Sequence, residues 1–299
     1  MAKSKLFPLF MLILATLIWG STFAVVKDAM NEVNEYYIVF VRSLIAAIPL
    51  LIITYIKNKS SLFDLQLIKK GAIIGLALSL SYLFQNVGML YTSASNSAFI
   101  IASNVILVPI FLFLFYKHSF NGKSIVSVII VLGGLALLTL KEGSAINIGD
   151  FYSFLAATVT SFHIIWSGRF VKNSELLALV SYQFLFSALF SLFVSLILAP
   201  ESLHLNYSVE AYSSLLYLGF LGTLFCYFTS IWSQKYLSYL SVSLVFSLEP
   251  VFAAIIAYFY LGEVLTSKAI FGAFLIVFGI LFFELGSLLF KGKRKAIKR

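Results

Sequence analysis

The sequence predicts an all-α integral membrane protein of ten transmembrane helices, arranged as two inverted five-helix repeats. Three observations support this fold class. The 299 residues are 61% hydrophobic and only 11% charged, with a mean hydropathy of +1.01, whereas a soluble domain carries roughly 25% charged residues. The chain contains ten long apolar runs, and its two halves are weakly similar to each other. Because the charged residues are too few to cover the surface of the protein, most of that surface must face lipid.

Ten apolar runs define the predicted helices. A hydrocarbon core ~30 Å thick needs ~20 helical residues to cross it. The runs are 6–26, 37–56, 71–91, 97–116, 124–140, 151–169, 177–199, 211–234, 239–261 and 268–290. Only a polar stretch from Thr92 to Asn96 separates the third run from the fourth. Lysines precede the first run, but no small-residue cleavage site follows it, so we expect a retained helix and not a signal peptide.

The distribution of basic residues predicts the orientation in the membrane. With both termini placed in the cytoplasm, seventeen Lys and Arg residues fall on the inside and three on the outside, namely Lys27, Lys141 and Lys268. Short cytoplasmic loops are enriched in Lys and Arg in this way. The last nine residues alone hold six of the basic residues. Basic loops and a basic tail that lie beside anionic lipid therefore explain the net charge of +9 better than nucleic-acid binding does.

An internal repeat divides the chain into halves. A shift of 141 positions places Arg42 on Gln183 and Pro109 on Pro250. The predicted boundaries are 6–140 for the first repeat, 149–290 for the second, and 291–299 for a basic cytoplasmic tail. Each half holds five helices, an odd number, so the second must insert upside down relative to the first. Inverted repeats are a recurring plan of secondary transporters, whose substrate site lies near the midplane between the repeats.

Three local strings carry a family resemblance. They are WGSTF at 19–23, QNVGMLYTSASNSAF at 85–99 and SLEPVFAAIIAYFYLGE at 247–263. Together they resemble the EamA-type members of the drug/metabolite transporter superfamily, over essentially the whole chain. The resemblance implies two inverted repeats, cytoplasmic termini and substrate movement through a central cavity, commonly outward. The first half departs from the second by having Lys117-His118 where the second has Leu261-Gly262-Glu263, which leaves the substrate class open.

Arg42 and Glu249 lie inside predicted helices away from their ends, where a charge costs ~2.5–3.5 kcal/mol on insertion scales. Arg42 could extend outward to the interface or pair with Glu35, or it could be a fixed cation for a carboxylate or phosphate. Glu249 could be a packing residue, or it could exchange a proton or bind a substrate amine. Pro250 cannot donate a hydrogen bond to the carbonyl of residue 246, so a kink is expected there. Pro109 is the matching kink in the first half.

The remaining candidate side chains are neutral. His163 is either a packing histidine or part of a substrate site or proton relay. The amides of Gln85, Asn104 and Gln183 either join helices or line a cavity. Tyr82 lies about one helical turn from Gln85. The other aromatic candidates are Trp19 and Tyr227.

The sequence lacks the signatures of soluble enzymes. We find no phosphate loop and no dinucleotide fingerprint, so neither an enzyme activity nor a cofactor is expected. No metal site is expected, because no second histidine or cysteine stands at ligand spacing. The lone Cys226 excludes an internal disulfide. A lipid-modifying membrane enzyme is the rival class, but His118, His163 and His204 fall on separate segments.

The sequence therefore predicts a secondary transporter in a bacterial cytoplasmic membrane. The expected cargo is an amino acid or a related zwitterion, because Arg42 and Glu249 could address a carboxylate and an ammonium group. Import or exchange of a nucleotide-like or S-adenosylmethionine-like metabolite stays open, since an aromatic cavity would accept an adenine ring. A passive channel also stays open. The expected partners are a small-molecule substrate and the lipid bilayer, without nucleic acid. Proton coupling and the oligomeric state, with a monomer as the simplest case, are left open.

Overall fold

The computed structural model describes residues 3–139, 147–202, 206–261 and 266–296. Lys141, His204, the Gly262-Glu263 pair and residues 297–299 of the basic tail lie outside these ranges. The sequence predictions that involve them therefore have no structural counterpart.

The first half of the chain forms five spans from six α-helices. These are α1 (Lys3–Ala29), α2 (Glu35–Asn58), α3 (Leu65–Tyr91), α4 (Ala94–Ala102), α5 (Asn104–Tyr116) and α6 (Gly122–Thr139). The fourth span is made of α4 and α5.

The second half forms five spans from seven α-helices. These are α7 (Ile148–Phe170), α8 (Leu176–Leu198), α9 (Val209–Tyr217), α10 (Cys226–Ser233), α11 (Tyr239–Phe246), α12 (Glu249–Leu261) and α13 (Ser267–Ala296). The eighth span consists of α9, a π-helical segment at Leu218–Phe225 and α10. The ninth span consists of α11 and α12.

The predicted set of ten apolar helices is confirmed. Among the described residues, nine helical segments have the length and hydropathy to cross a bilayer, and Gly122–Leu138 is a tenth, shorter apolar helix. The predicted boundary between the third and fourth helices is also confirmed. There α3 ends at Tyr91 and α4 begins at Ala94, after Ser93 accepts a hydrogen bond from the Asn96 backbone N–H. Serine is a favoured residue at this capping position.

The two halves pack against each other reciprocally. The second span of one half packs along the second span of the other, as α2 on α8, and the fifth spans pair as α6 on α13. In addition α3 packs on α7, and its counterpart, the π-helical segment with α10, packs on α1. A two-fold pseudo-symmetry between the halves requires this reciprocity, which is the arrangement of inverted repeats.

Two spans are interrupted at equivalent places. Ser103 separates α4 from α5, and residues 247–248 separate α11 from α12. Ser93 caps α4 and Ser238 caps α11, and in each span the second helix begins eleven residues after this serine, so the first residues of α5 and α12, Asn104 and Glu249, occupy equivalent positions. The sequence comparison had instead matched Pro109 with Pro250. The shift of 141 positions between the halves holds for α2 and α8, where Arg42 and Gln183 are equivalent, but it does not hold for the two broken spans.

Each interruption has a local cause. The Asn104 side chain donates a 2.9 Å hydrogen bond to the Ile101 carbonyl, which competes with the helical hydrogen-bond ladder. Pro250 is the second residue of α12, where its missing N–H leaves the Phe246 carbonyl without a helical donor. The break predicted at Pro109 lies instead at Ser103, and Pro109 stands inside α5.

We expect Gly134→Ala to destabilise the fold and Gly133→Ala to leave it nearly unchanged. A Cβ at Gly134 would lie 2.7 Å from the Gly272 carbonyl oxygen and 2.9 Å from the Ile276 backbone nitrogen, where α6 crosses α13. A Cβ at Gly133 would meet no heavy atom within 4 Å. Overpacking of this kind costs ~1–3 kcal/mol. Thermal unfolding of the two purified variants measures the difference, and equal melting temperatures would contradict this packing.

Candidate functional site

A central cavity lies where both broken spans meet α1, α3 and the eighth span. Its free volume is about 30 Å³, room for about two water molecules. The lining residues are Trp19, Thr22, Phe23, Ser81, Tyr82, Gln85, Ile101, Asn104, Thr160, Tyr227, Phe246 and Glu249. The cavity must therefore widen before it can hold a metabolite.

Glu249 is the only Asp or Glu among these lining residues. It is the first residue of α12, and 8% of its surface is exposed. A helix N-terminus carries a partial positive charge that stabilises a carboxylate. At Gly20, α1 comes so close that an added Cβ would lie 2.8 Å from Phe252 Cβ and 3.1 Å from the Glu249 carbonyl oxygen. The contact with α1 therefore fixes the backbone that carries this carboxylate.

Asn104 is the counterpart of Glu249 in the first half. Its side chain is 2% exposed, and its Oδ1 atom has no hydrogen-bond partner. A buried acceptor left unpaired costs ~1–3 kcal/mol. Since Asn104 lines the cavity, this oxygen can accept a hydrogen bond from a bound ligand. Gln85 adds a second amide to the same lining.

Aromatic rings form one wall of the cavity. The Trp19 ring lies 4.9 Å from the rings of both Tyr227 and Phe246, and the Tyr82 ring lies 5.7 Å from that of Tyr227, all in edge-on geometry. The Trp19 indole N–H donates a 2.8 Å hydrogen bond to the Gly222 carbonyl. Such rings can bind a cation through their faces or stack on a planar ligand.

Arg42 lies behind this wall and not in the cavity lining. It is fully buried, and its guanidinium carbon lies 3.8 Å from the centre of the Tyr82 ring. Its Nε donates a 2.8 Å hydrogen bond to Thr223 Oγ1, while both terminal nitrogens lack a hydrogen-bond partner. The alternative that Arg42 extends outward to the interface is wrong, because the side chain has no exposed surface.

The π-helical segment supplies the immediate surroundings of Arg42. Thr223 Oγ1 donates a 2.8 Å hydrogen bond to the carbonyl of Leu218, five residues earlier, and accepts the hydrogen bond from Arg42. A Cβ added to Gly222 would lie 3.2 Å from an Arg42 terminal nitrogen. The wider turn of this segment thus brings its hydroxyl and its glycine to the guanidinium.

We expect Thr223→Val to destabilise the protein by ~1–3 kcal/mol, because it would leave another buried donor of Arg42 unpaired. Thr223→Ser retains the hydroxyl and is expected to stay close to the wild type. Thermal unfolding of both variants in the same detergent measures the difference. Equal melting temperatures for the valine and serine variants would mean that the hydrogen bond from Arg42 contributes little to stability.

His163 and Gln183 form a second buried pair outside the cavity lining. His163 Nε2 lies 3.0 Å from Gln183 Oε1, and the His163 ring lies 5.3 Å from the ring of Tyr227. Gln183 Nε2 has no hydrogen-bond partner. The pair therefore supports the cavity wall through Tyr227 and does not face the cavity itself.

The structure brings most of the predicted site residues together. The predicted residues that line the cavity are Trp19, Tyr82, Gln85, Asn104, Tyr227 and Glu249. Arg42, His163 and Gln183 form a layer behind them. The hydroxyl residues of the lining, Thr22, Ser81 and Thr160, and the contact of Thr223 with Arg42 were not predicted from the sequence. Ser81 and Thr160 lie 2.6 Å apart on α3 and α7.

Comparison with known proteins decides the family. The model of the EamA-like transporter family matches residues 6–140 and again residues 147–285. The chain belongs to the EamA-like transporter family. It is 32% identical over 278 residues to an uncharacterized transporter of Archaeoglobus fulgidus, covering 92% of this chain and 84% of that protein. It is 25% identical over 280 residues to the uncharacterized transporter YoaV of Bacillus subtilis, covering 90% and 94%.

A solved structure shares the fold of this EamA-like chain. One crystal structure superposes with a TM-score of 0.77, covering 95% of this chain and 97% of the other at 15% identity. At that identity the likeness concerns the fold alone. The comparisons therefore identify the chain as a multi-pass membrane transporter. The cargo has to be inferred from the residues that line the cavity.

Proposed function

We propose that this protein is a secondary transporter of small organic metabolites, namely amino acids or related zwitterions, and that it works as an exporter by alternating access. The observation that carries the proposal is the position of Glu249 in a cavity whose described lining residues include no Lys, Arg or His. A carboxylate beside aromatic rings favours a ligand that presents an ammonium group. The Asn104 Oδ1 acceptor supports the same choice.

The carboxylate of a zwitterion has a matching group in Arg42. One ring, Tyr82, lies between this guanidinium and the cavity. A fully buried cation without a hydrogen-bonded anion is costly. A carboxylate that reached its two unpaired nitrogens would offset that cost through a bidentate pair. Widening of the cavity at Tyr82 would join the two charges in one site.

Alternating access is supported by the geometry of the two halves. Both broken spans begin their second helix at the cavity, with Asn104 and Glu249 on opposite repeats. Rocking of one repeat against the other would open this point to either side in turn. The family resemblance supports a bacterial cytoplasmic membrane as the proposed location, and the lysine and arginine distribution supports cytoplasmic termini. Protonation of Glu249 is the proposed route by which a proton gradient could be coupled.

Ligand binding to the purified protein tests the cargo class. The ligands are an amino acid, the matching amine without its carboxylate, the matching acid without its amine, and S-adenosylmethionine. We expect the amino acid to bind most tightly and the acid without an amine to bind least, since it has nothing to offer Glu249. Tightest binding of S-adenosylmethionine would support the nucleotide-like cargo, which the rings of Trp19, Tyr82 and Tyr227 favour. Tightest binding of the acid would contradict the role of Glu249.

A further inference from the structure

A second cavity lies between α5 and α6, apart from the central cavity. It has a volume of about 480 Å³ and shares no lining residue with the central one. We name it the α5–α6 groove. Its lining residues come from the stretches 106–114 and 124–132, together with Ser119, Phe120 and Leu240. Apart from the serines, every lining residue is apolar.

The walls of the groove face the surroundings of the protein. Phe113 and Ile129 are each 62% exposed, whereas Ser124 and Val128 at its base are 7% exposed. Since α5 and α6 belong to apolar spans, these walls stand in the hydrocarbon of the bilayer. The groove is therefore concave, apolar and open to lipid, which suits an acyl chain.

One end of the groove is basic. The connection between α5 and α6 contains Ser119 and Phe120 of the groove, and the exposed side chains of Lys117 and His118 directly precede them. Lys117 has a left-handed backbone (φ 50°) that ends α5 and turns the chain at this rim. A lysine at this rim can bind a lipid phosphate.

Two further cations stand near this end. The Arg169 guanidinium lies 4.4 Å from the centre of the Tyr116 ring, the residue before Lys117. Lys123 donates a 3.1 Å hydrogen bond to the Phe283 carbonyl, and the Glu284 carboxylate is close enough to act on it electrostatically. Among the described side chains, Lys117 and Arg169 are therefore two exposed cations that can meet a ligand at this end.

We propose that the α5–α6 groove is a binding site for an anionic phospholipid, with one acyl chain between α5 and α6 and the phosphate held by Lys117 and Arg169. The apolar walls select a lipid, and the basic end selects an anionic headgroup over a zwitterionic one. Because α5 begins at Asn104 in the central cavity, the bound chain braces the half-helix that forms part of the cavity wall.

Photolabelling of the full-length protein tests the site. The protein is placed in phosphatidylcholine vesicles that contain a trace of lipid with a photoreactive group on its acyl chain, with either a phosphatidylglycerol or a phosphatidylcholine headgroup. Mass spectrometry then maps the labelled residues. We expect the phosphatidylglycerol probe to label the groove about thirtyfold more than the phosphatidylcholine probe, equivalent to ~1 kcal/mol for each of the two basic residues at an anionic surface. Lys117→Gln combined with Arg169→Gln should abolish this preference.

Matched variants separate the site from ordinary lipid contact. Lys57→Gln combined with Lys59→Gln removes two cations from the end of α2 and should leave groove labelling unchanged. Ile129→Trp fills the groove and should lower labelling by both probes. Equal labelling of the groove by the two headgroups, or equally strong labelling of the exposed Phe274 and Phe278 on α13 by the phosphatidylglycerol probe, would overturn the proposal. The readout is lipid binding, so it does not depend on transport.

Discussion

Replacing Glu249 by glutamine is expected to lower counterflow of a zwitterionic cargo about thirtyfold or more, since truncating one partner of a buried charge pair costs at least ~2 kcal/mol. Glutamine has the same shape and removes only the negative charge from the cavity lining. The measurement is tracer entry into proteoliposomes loaded with unlabelled cargo. Glu210→Gln is the matched control, because Glu210 is an exposed carboxylate in the first turn of α9.

The way in which the Glu249→Gln variant fails also separates two roles of this carboxylate. Loss of both counterflow and gradient-driven transport is expected if Glu249 binds the ammonium group. Intact counterflow with loss of transport driven by a pH gradient would instead assign Glu249 to proton coupling. Wild-type rates in both assays would remove Glu249 from the transport site.

Arg42→Gln is expected to reduce counterflow of an amino acid by about thirtyfold or more, again from the loss of a buried charge pair, while the matching amine without a carboxylate changes little. The reason is that the guanidinium serves the carboxylate alone. Both cargoes are measured on the same proteoliposomes, so a partly folded variant would depress both rates. Only a selective loss supports the anion site behind Tyr82.

Arg42→Lys is the companion variant. Lysine retains the charge but cannot form the planar two-point contact of a guanidinium with a carboxylate. We expect an amino-acid rate between those of the wild type and Arg42→Gln. An equal loss for both cargoes in both variants would mean that Arg42 holds the π-helical segment through Thr223 and does not bind cargo.

The spans could be predicted from hydropathy because the bilayer sets a length that each helix must meet. The interruptions inside the spans were harder to predict from the sequence. Pro109 and Pro250 were the visible signals, and only Pro250 stands at a break. The break before Asn104 depends on a side-chain amide that bonds the Ile101 carbonyl, and nothing distinguishes such an amide in sequence from one that joins two helices.

Three of the predicted site residues are costly to place in a membrane and lie together in the structure. Glu249, Gln85 and Asn104 were chosen because a polar group in hydrocarbon needs a partner or a cavity, and all three line the central cavity. The same reasoning chose Arg42 but could not place it behind Tyr82, because depth along a helix does not fix the direction that a long side chain takes.

Hydroxyl residues escaped prediction for a physical reason. Thr22 donates to the carbonyl of Trp19 within its own helix at 2.8 Å, so a threonine can satisfy itself anywhere along a span. Thr223 gains its contact with Arg42 from the π-helical segment, whose sequence, LGFLGTLF, has the composition of an ordinary apolar helix. Only the three-dimensional structure shows that this segment widens.

Saturable counterflow tests most directly whether the two repeats carry a zwitterion through the cavity at Glu249 and Asn104. Proteoliposomes are loaded with amino acids or with adenine-containing metabolites, and entry of labelled tracer is followed over a range of concentrations. We expect saturable exchange of amino acids, with unlabelled cargo competing against the labelled tracer. Entry that rises linearly with concentration, as through a channel, or absence of exchange in folded protein with every cargo class, would contradict it.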